Sequence, residues 1–439
     1  MLGVLRIRDY RMLLAGQLLS NIGDWLLLVA APYFVFELTG SSLATGLTLT
    51  AESVPAVLLG PIAGVFADRW DRRRAMIATD ILRAAAVLSL LAVHSRDSVW
   101  IVYAALTIET AFGQFFNPAR RALVPNLVGR GPELSAANAL SQLIGGVIRL
   151  VGGPLGGVLY VLFGFHLVVV LDVTSYLLSA VLTVLIRYRA RSGAVPPAVG
   201  EPDGGSDGGS VGGSVGEPVG GPSPTRARFR AELRAGFGHV GRNPDLRTLF
   251  SVASLFFTGN AMLTALLVPY LGGVLHAGAQ SLGVLFGALG VGYVLGGPVS
   301  RLVTDRSRDR TVIVASLSVL AAVFAVSFNV PHLAWDVALF TLIGPPAVCF
   351  LVTADTALAR RTPDRIQGRV GSVYLAVQGA ATLVGMIAGS VLGQRIGVVI
   401  TMDLAAALIA ASAAAALLLP SALADEVAPS SLLAAASER

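Results

Sequence analysis

The sequence contains no lysine: all 32 of its basic residues are arginines. A Walker-type phosphate loop needs a lysine to reach the β- and γ-phosphates, so the chain carries no ATP-driven motor of that kind. It has one cysteine, Cys349, set in an apolar run, which excludes a disulfide within the chain and reads as a small core side chain. Its five histidines (His94, His166, His239, His276 and His332) fall in loops or at the ends of apolar runs without ligand spacing, so neither a metal nor a cofactor is expected. His-Glu-x-x-His and Gly-x-Ser-x-Gly are missing, and nothing in the chain points to an enzyme.

Charge is the scarcest commodity. Only 13% of residues are charged, where a soluble domain has about 25%. With 54% hydrophobic residues and a mean hydropathy of +0.74, the chain is an integral membrane protein with the lipid bilayer as its surroundings. A net charge of +6 and a pI near 9.9 would suggest nucleic acid in a soluble protein. Here the arginines sit in short loops, so membrane topology explains them and no nucleic-acid partner is expected. Arg6, Arg8 and Arg11 precede an apolar stretch of about 25 residues, too long for the h-region of a signal peptide, so the first stretch reads as an uncleaved helix.

What is present is a regular series of apolar runs. They fall at 12–36, 41–67, 75–94, 98–118, 136–160, 166–187, 246–272, 279–303, 311–328, 334–358, 369–393 and 397–419. Each can cross about 30 Å of hydrocarbon with some tilt. The expected fold is therefore an all-α membrane protein of twelve transmembrane helices with both termini on one side. Apart from Arg83, Arg96, Arg149 and Arg395, every arginine falls on the side of the termini. The positive-inside rule makes that side cytoplasmic and the protein a multi-pass protein of the plasma membrane. Residues 191–224 are Gly, Ser, Pro and acidic residues, the composition of a disordered tether. Residues 225–241 place Phe229, Leu233 and Phe237 on one face and arginines on the other, as in a helix lying on a membrane surface. The chain thus divides into a six-helix bundle at 1–190, a linker with surface helix at 191–243, a second six-helix bundle at 244–420, and a cytoplasmic tail at 421–439.

The halves echo each other. Asp68-Arg69-Trp-Asp71-Arg72 is answered by Asp305-Arg306-Ser-Arg308-Asp309-Arg310, and Arg120-Arg121-Ala-Leu-Val-Pro125 by Arg360-Arg361-Thr-Pro363, at nearly the same offset. This is the mark of a duplicated six-helix unit. The stretch Gly64-x-x-x-Asp68-Arg69-x-x-Arg72-Arg73 resembles the loop between helices 2 and 3 of the major facilitator superfamily, with Asp71 where the family usually has Gly. The resemblance implies the major facilitator fold, two pseudo-symmetric six-helix bundles. It also implies a conformational latch of Gly64, Asp68, Arg69, Arg72 and Arg73, in which Asp68 faces the start of helix 11 near Gly368–Gly371 and the arginines pair with carboxylates.

Phe116-Asn-Pro118-Ala119-Arg120-Arg121 with Leu134-Ser-Ala-Ala-Asn138-Ala139-Leu140, and Thr362-Pro363-Asp364-Arg365 before helix 11, are similar to the exporter branch that includes siderophore and macrolide efflux proteins. Two departures qualify this. Arg301 replaces the glycine of the second-half latch, and Glu109 stands in helix 4 where proton antiporters carry an arginine. Gly152-Gly153-Pro154-Leu155-Gly156-Gly157 resembles the antiporter segment of helix 5, with its proline one residue late.

A charge near the bilayer centre costs at least about 2.5 kcal/mol, so each one needs a reason. Asp24, Glu52, Glu109 and Arg149 lie near mid-depth, all in the first half. They are the candidates for proton coupling: Glu109 or Asp24 would exchange a proton for substrate, with Arg149 as counter-charge. Asp80 and Arg83, three apart, would pair with each other. The second half offers an apolar wall with Asn260, Tyr270, Tyr293, Tyr374 and Gln378 as candidate cavity residues. The expectation is a secondary transporter that exports a small amphiphilic molecule by proton antiport, as a monomer. An uptake symporter or facilitator of the same fold is the alternative.

Overall fold

The computed structural model describes residues 2–67, 71–129, 131–187, 237–304, 307–330 and 332–420. The linker 191–224, most of the 225–241 segment, and the tail 421–439 lie outside the described residues. The described chain folds into apolar helices: α1 (Arg8–Thr39), α2 (Ser42–Ala67), α3 (Arg72–Leu88), α4 (Val99–Val128), the long helix Pro132–Val184, α7 (Pro244–Gly273), α8 (Ala279–Thr304), α9 (Asp309–Asn329), α10 (Leu333–Arg360), α11 (Asp364–Ile396) and α12 (Val398–Ala416). Eleven helical segments are long and apolar enough to span a membrane. One of them, Pro132–Val184, is two spans. Gly164 has φ 78° and ψ 175°, which reverses the chain and splits it into α5 (132–163) and α6 (165–184). Among the described residues this yields twelve membrane-crossing legs.

The connections follow from local chemistry. At the end of α1, Gly40 takes a left-handed conformation and donates its N–H to the Phe36 carbonyl at 2.7 Å, so α2 begins two residues later. The Asp71 side chain accepts the Arg74 N–H at 2.9 Å and caps α3. An N-cap is thus what the departure from the family's glycine supplies. Asn243 caps α7, with Pro244 at its first position.

Packing repeats between the halves. The first half packs α1 on the α5–α6 helix, α2 on α4, and α3 on α4 and on the α5–α6 helix. The second half packs α7 on α11 and α12, α8 on α10, and α9 on α10 and α12. The same helices therefore meet at corresponding places, and the halves join symmetrically, the α5–α6 helix on α8 and α2 on α11.

The core tells how the halves sit. At the end opposite the termini, called here the far end, one apolar cluster runs through both halves, from Leu26, Val29 and Tyr33 to Leu266, Tyr270 and Leu285. Toward the end carrying the termini it continues within the second half, to Leu249, Ala357 and Leu419, and separate clusters appear beside it. Tyr10, Met76, Phe116 and Ile186 form a cluster in the first half, and Leu246, Phe250, Val370 and Tyr374 another in the second. Hydrogen bonds across the halves among the described residues run from Tyr33 Oη to the Ala277 carbonyl (2.6 Å) and from Ser41 Oγ to Gln394 Oε1 (3.0 Å) at the far end, and from Ser53 Oγ to Met386 Sδ (3.3 Å) further down α2 and α11. At the far end α5 and α8 touch backbone to backbone: a Cβ on Gly283 would stand 2.7 Å from the Gly153 carbonyl oxygen. At the terminal end, a Cβ on Gly145, Gly146, Gly368 or Gly371 would meet nothing within 4 Å. The outer faces carry exposed Leu162, Leu178, Val294 and Leu375, the surface expected against lipid tails.

Candidate functional site: a buried carboxylate cluster beside an aromatic cavity

At mid-depth in the first half, three helices converge on one arginine. Arg83 of α3 is 6% exposed. Its Nη2 lies 3.1 Å from both Oδ atoms of Asp24 on α1. The same nitrogen is 2.6 Å from Glu109 Oε1 on α4, and Nε is 3.0 Å from that oxygen. Tyr176 of α6 completes the group: its hydroxyl reaches Asp24 Oδ1 and, at 2.9 Å, Glu109 Oε1. With one proton to give, the phenol donates to one carboxylate at a time. Its ring also lies under the guanidinium, 4.2 Å from Cζ to the centroid. Thr110 Oγ1 donates to Glu109 Oε2 at 3.2 Å.

More acid surrounds this group than it can neutralise. Glu52 of α2 lines the same cavity of about 330 Å³ as Asp24, Arg83, Glu109 and Tyr176. Asp172, fully buried on α6, accepts from Ser175 Oγ at 3.3 Å, and its Oδ2 has no hydrogen-bond donor among the described residues. The chain at Gly23 presses on it so closely that a Cβ there would sit 2.2 Å from Asp172 Oδ1. Asp80, on the turn of α3 before Arg83, is also fully buried, and neither of its oxygens meets a donor. One guanidinium thus serves a cavity lined by three carboxyl side chains, with Asp80 and Asp172 buried on α3 and α6 outside its lining.

The acid cavity faces a second one across the interface. Trp25, next to Asp24, lines the acid cavity and meets Phe286 of α8 edge-on, with ring centroids 6.5 Å apart. Phe286 in turn lines a cavity of about 160 Å³ in the second half, walled mainly by Phe256, Phe257, Phe324, Phe328 and Phe340. Asn260, Thr264 and Tyr293 are its polar members.

Several expected residues meet here and others do not. Asp24, Glu109 and Glu52 line one cavity, and Asn260 and Tyr293 the other. Arg149 belongs to α5 with its side chain outside the described residues, and the cation that meets the carboxylates is Arg83. Arg83 turns to Asp24 and Glu109 rather than to Asp80, because tertiary contacts offer it two partners where its own helix offers one. Tyr270, Tyr374 and Gln378 do not line either cavity. Tyr270 is fully buried, and its hydroxyl donates to either the Ser327 carbonyl (3.1 Å) or Asp336 Oδ2 (3.3 Å), tying α7 to α9 or α10. Tyr374 packs edge-on against Phe250 at 5.3 Å, with Gln378 beside its hydroxyl.

Of the expected latch, Asp68 and Arg69 lie outside the described residues, as does the side-chain environment of Gly64 in α2. Arg72 and Arg73 bind carbonyls rather than carboxylates. Arg72 Nη1 donates to the Ala122 carbonyl at 2.9 Å, and Arg73 Nε to that of Thr183 at 3.1 Å, with Val184 taking a further bond. At the end of α6 the Arg73 bonds reach carbonyls of the last helical turn, Thr183 and Val184, where the helix leaves acceptors short of partners.

Sequence reading missed Tyr176 and Asp172. Their signal is a polar stripe in an apolar run: Asp172, Ser175, Tyr176, Ser179 and Thr183 recur at helical spacing, and all are buried.

The Major Facilitator Superfamily profile matches residues 13–272, and that of the Transmembrane secretion effector family matches residues 222–436. Macrolide efflux protein A of Streptococcus pyogenes is 24% identical over 88% of this chain and 89% of its own length. The uncharacterized MFS-type transporter YfiS of Bacillus subtilis is 32% identical over 39% of this chain and 40% of its own. The fold is similar to the crystal structure of a bacterial homologue of the iron transporter ferroportin in an inward-facing state, with a TM-score of 0.68 at 16% identity over 93% of this chain and 98% of that one.

Proposed function

The chain belongs to the major facilitator superfamily, and from that premise we propose that it exports an amphiphilic cation in exchange for protons. The observation that carries this is the single Arg83 held between Asp24 and Glu109 on the wall of a cavity. Two carboxylates sharing one guanidinium form a site that takes a further positive charge, either a proton or the cationic group of a substrate. Competition for that place couples the two fluxes. A substrate seated with its cation at Asp24 and Glu109 would lay its apolar body past Trp25 and Phe286 into the phenylalanine-lined cavity. The efflux name of the relative matched over most of both lengths supports export as the direction.

In this reading the arginine-rich end bearing the termini is cytoplasmic. The halves are joined at the far end and part toward the termini, so the conformation is one that admits substrate from the cytoplasm. The latch of Gly64, Asp68, Arg69, Arg72 and Arg73 would engage α11 when the terminal end closes. Until then Arg72 and Arg73 hold the ends of α4 and α6. The bundles 1–190 and 244–420 rock against each other as two bodies in one monomer, tethered by 191–243.

The test is proton movement in proteoliposomes holding the purified protein and a pH-sensitive dye, challenged with a macrolide bearing a tertiary amine and with tetraphenylphosphonium. Substrate-dependent proton flux that disappears in Asp24→Asn and Glu109→Gln is the expected result. Accumulation against a gradient under an imposed pH difference by both variants would refute the assignment.

A further inference from the structure

Asp80 has no part in the exchange described above, yet it is the most isolated carboxyl group among the described residues of the first half. It is fully buried on α3, and neither oxygen is within hydrogen-bonding geometry of any donor. The nearest hydroxyl, Ser179 of α6, is likewise unbonded, and Gly16 of α1 closes over it, where a Cβ would lie 3.2 Å from Ser179 Oγ. A carboxylate ion so placed would have no solvent and only the Ser179 hydroxyl close by, too little to compensate a buried charge. One helical turn further on stands Arg83, three residues away on the same face. Helical side chains lean toward the N-terminus of their helix, so the Arg83 stem already lies over the turn that carries Asp80.

We propose that Asp80 is a second proton-holding site and the alternative partner of Arg83. In the conformation seen here Arg83 is occupied by Asp24 and Glu109, and Asp80 carries a proton. When a proton or a substrate cation takes the guanidinium's place between Asp24 and Glu109, Arg83 swings back one turn. As Arg83 moves and opens the site to the acid cavity, the Asp80 O–H bond breaks, its proton passes to water admitted there, and the carboxylate left behind forms an ion pair with Arg83. On the return stroke Asp80 takes up a proton and Arg83 goes back. The groups facing Asp80 in this exchange are Ser179 of α6, Asp24 of α1 and, on its own helix, Arg83 as the cation, which Glu109 of α4 holds together with Asp24. The inference rests on the reading of Asp24 and Glu109 as the exchange site. It gives the release of a proton from Asp80 a cause in substrate binding, with Arg83 as the moving part.

Infrared spectroscopy of the purified, substrate-free protein at neutral pH tests it. The expected result is a protonated-carboxyl band that Asp80→Asn removes and Asp80→Glu shifts. In the Asp24→Asn/Glu109→Gln double variant, where Arg83 has lost both partners, that band should vanish as Asp80 ionises against Arg83. The single variants serve the same purpose if the double variant does not fold, each weakening the band. A wild-type spectrum without such a band overturns the proposal, and so does a band unchanged when Asp24 and Glu109 are neutralised. The measurement needs no transport, so the proton-antiport reading stands or falls separately in the proteoliposome assay.

Discussion

Trp25 and Phe286 meet edge-on across the two halves with their ring centroids 6.5 Å apart, and each lines a different cavity. This pair stands between the acid cluster and the phenylalanine-walled cavity. A substrate that uses both places must pass over it, so trimming it should be felt as weakened binding. Loss of a buried aromatic contact is worth about 1.5–3 kcal/mol, roughly tenfold or more in affinity. Phe286→Ala is expected to raise KM for amphiphilic cations by about that factor while leaving kcat nearly unchanged. Equal KM values in wild type and variant would remove the aromatic cavity from the substrate path.

Arg83 balances charge for a pocket that cannot dispense with it. Taking one partner from a buried ion pair costs about 3–5 kcal/mol because the remaining charge is stranded. Arg83→Gln should therefore lower the thermal unfolding temperature in detergent markedly. Adding Asp24→Asn and Glu109→Gln to it should recover most of the loss, since the stranded charges then go too. An Arg83→Gln protein that melts like wild type would mean the cluster bears no net buried charge.

The twelve runs, the glycine-proline segment of α5 and the mid-depth placing of Asp24 and Glu109, which line one cavity, were legible because each is a local anomaly in composition. A carboxylate in an apolar run is conspicuous wherever its partner sits. Partners are another matter. Spacing along α3 favours Asp80 for Arg83, and only the approach of α1 and α4 redirects the guanidinium. Tyr270 reads from sequence as a polar tip for a cavity because Asp336, which accepts its hydrogen bond, is 66 residues away. Asp172 is as conspicuous in its apolar run, but its surroundings are not: nothing along the chain marks the backbone at Gly23, where a Cβ would lie 2.2 Å from its Oδ1, as its neighbour.

That contact makes a sharp test of the α1–α6 packing. A Cβ on Gly23 would overlap Asp172 Oδ1 at 2.2 Å and crowd Ser175 Oγ at 2.5 Å. Overpacking of this kind typically costs about 1–3 kcal/mol. Gly23→Ala should lower the unfolding temperature, and Asp172→Ala should relieve the clash, so that the double variant is more stable than the sum of the single effects implies. Additive losses would show that the two helices can part at this level without penalty.

The far-end closure depends on α5 and α8 touching through their backbones, where a Cβ on Gly283 would stand 2.7 Å from the Gly153 carbonyl oxygen and 2.8 Å from Pro154 Cα. Neither neighbour is a flexible side-chain tip, so the helices themselves must separate to admit one. Gly283→Val should then shift the population toward conformations open at the far end. Tyr33→Phe, which removes a hydrogen bond to the Ala277 carbonyl, should act in the same direction but weaken closure by only about 1 kcal/mol. Cysteine accessibility reads this out directly, because Cys349 is the only native thiol and is buried. In a Cys349→Ser background, Ala277→Cys should react with a membrane-impermeant maleimide added from the far side fastest in Gly283→Val, more slowly in Tyr33→Phe, and slowest with neither change. Identical labelling rates in all three would mean that the glycine seam does not hold the gate, and that closure must be carried by the apolar cluster around Leu266 and Leu285 instead.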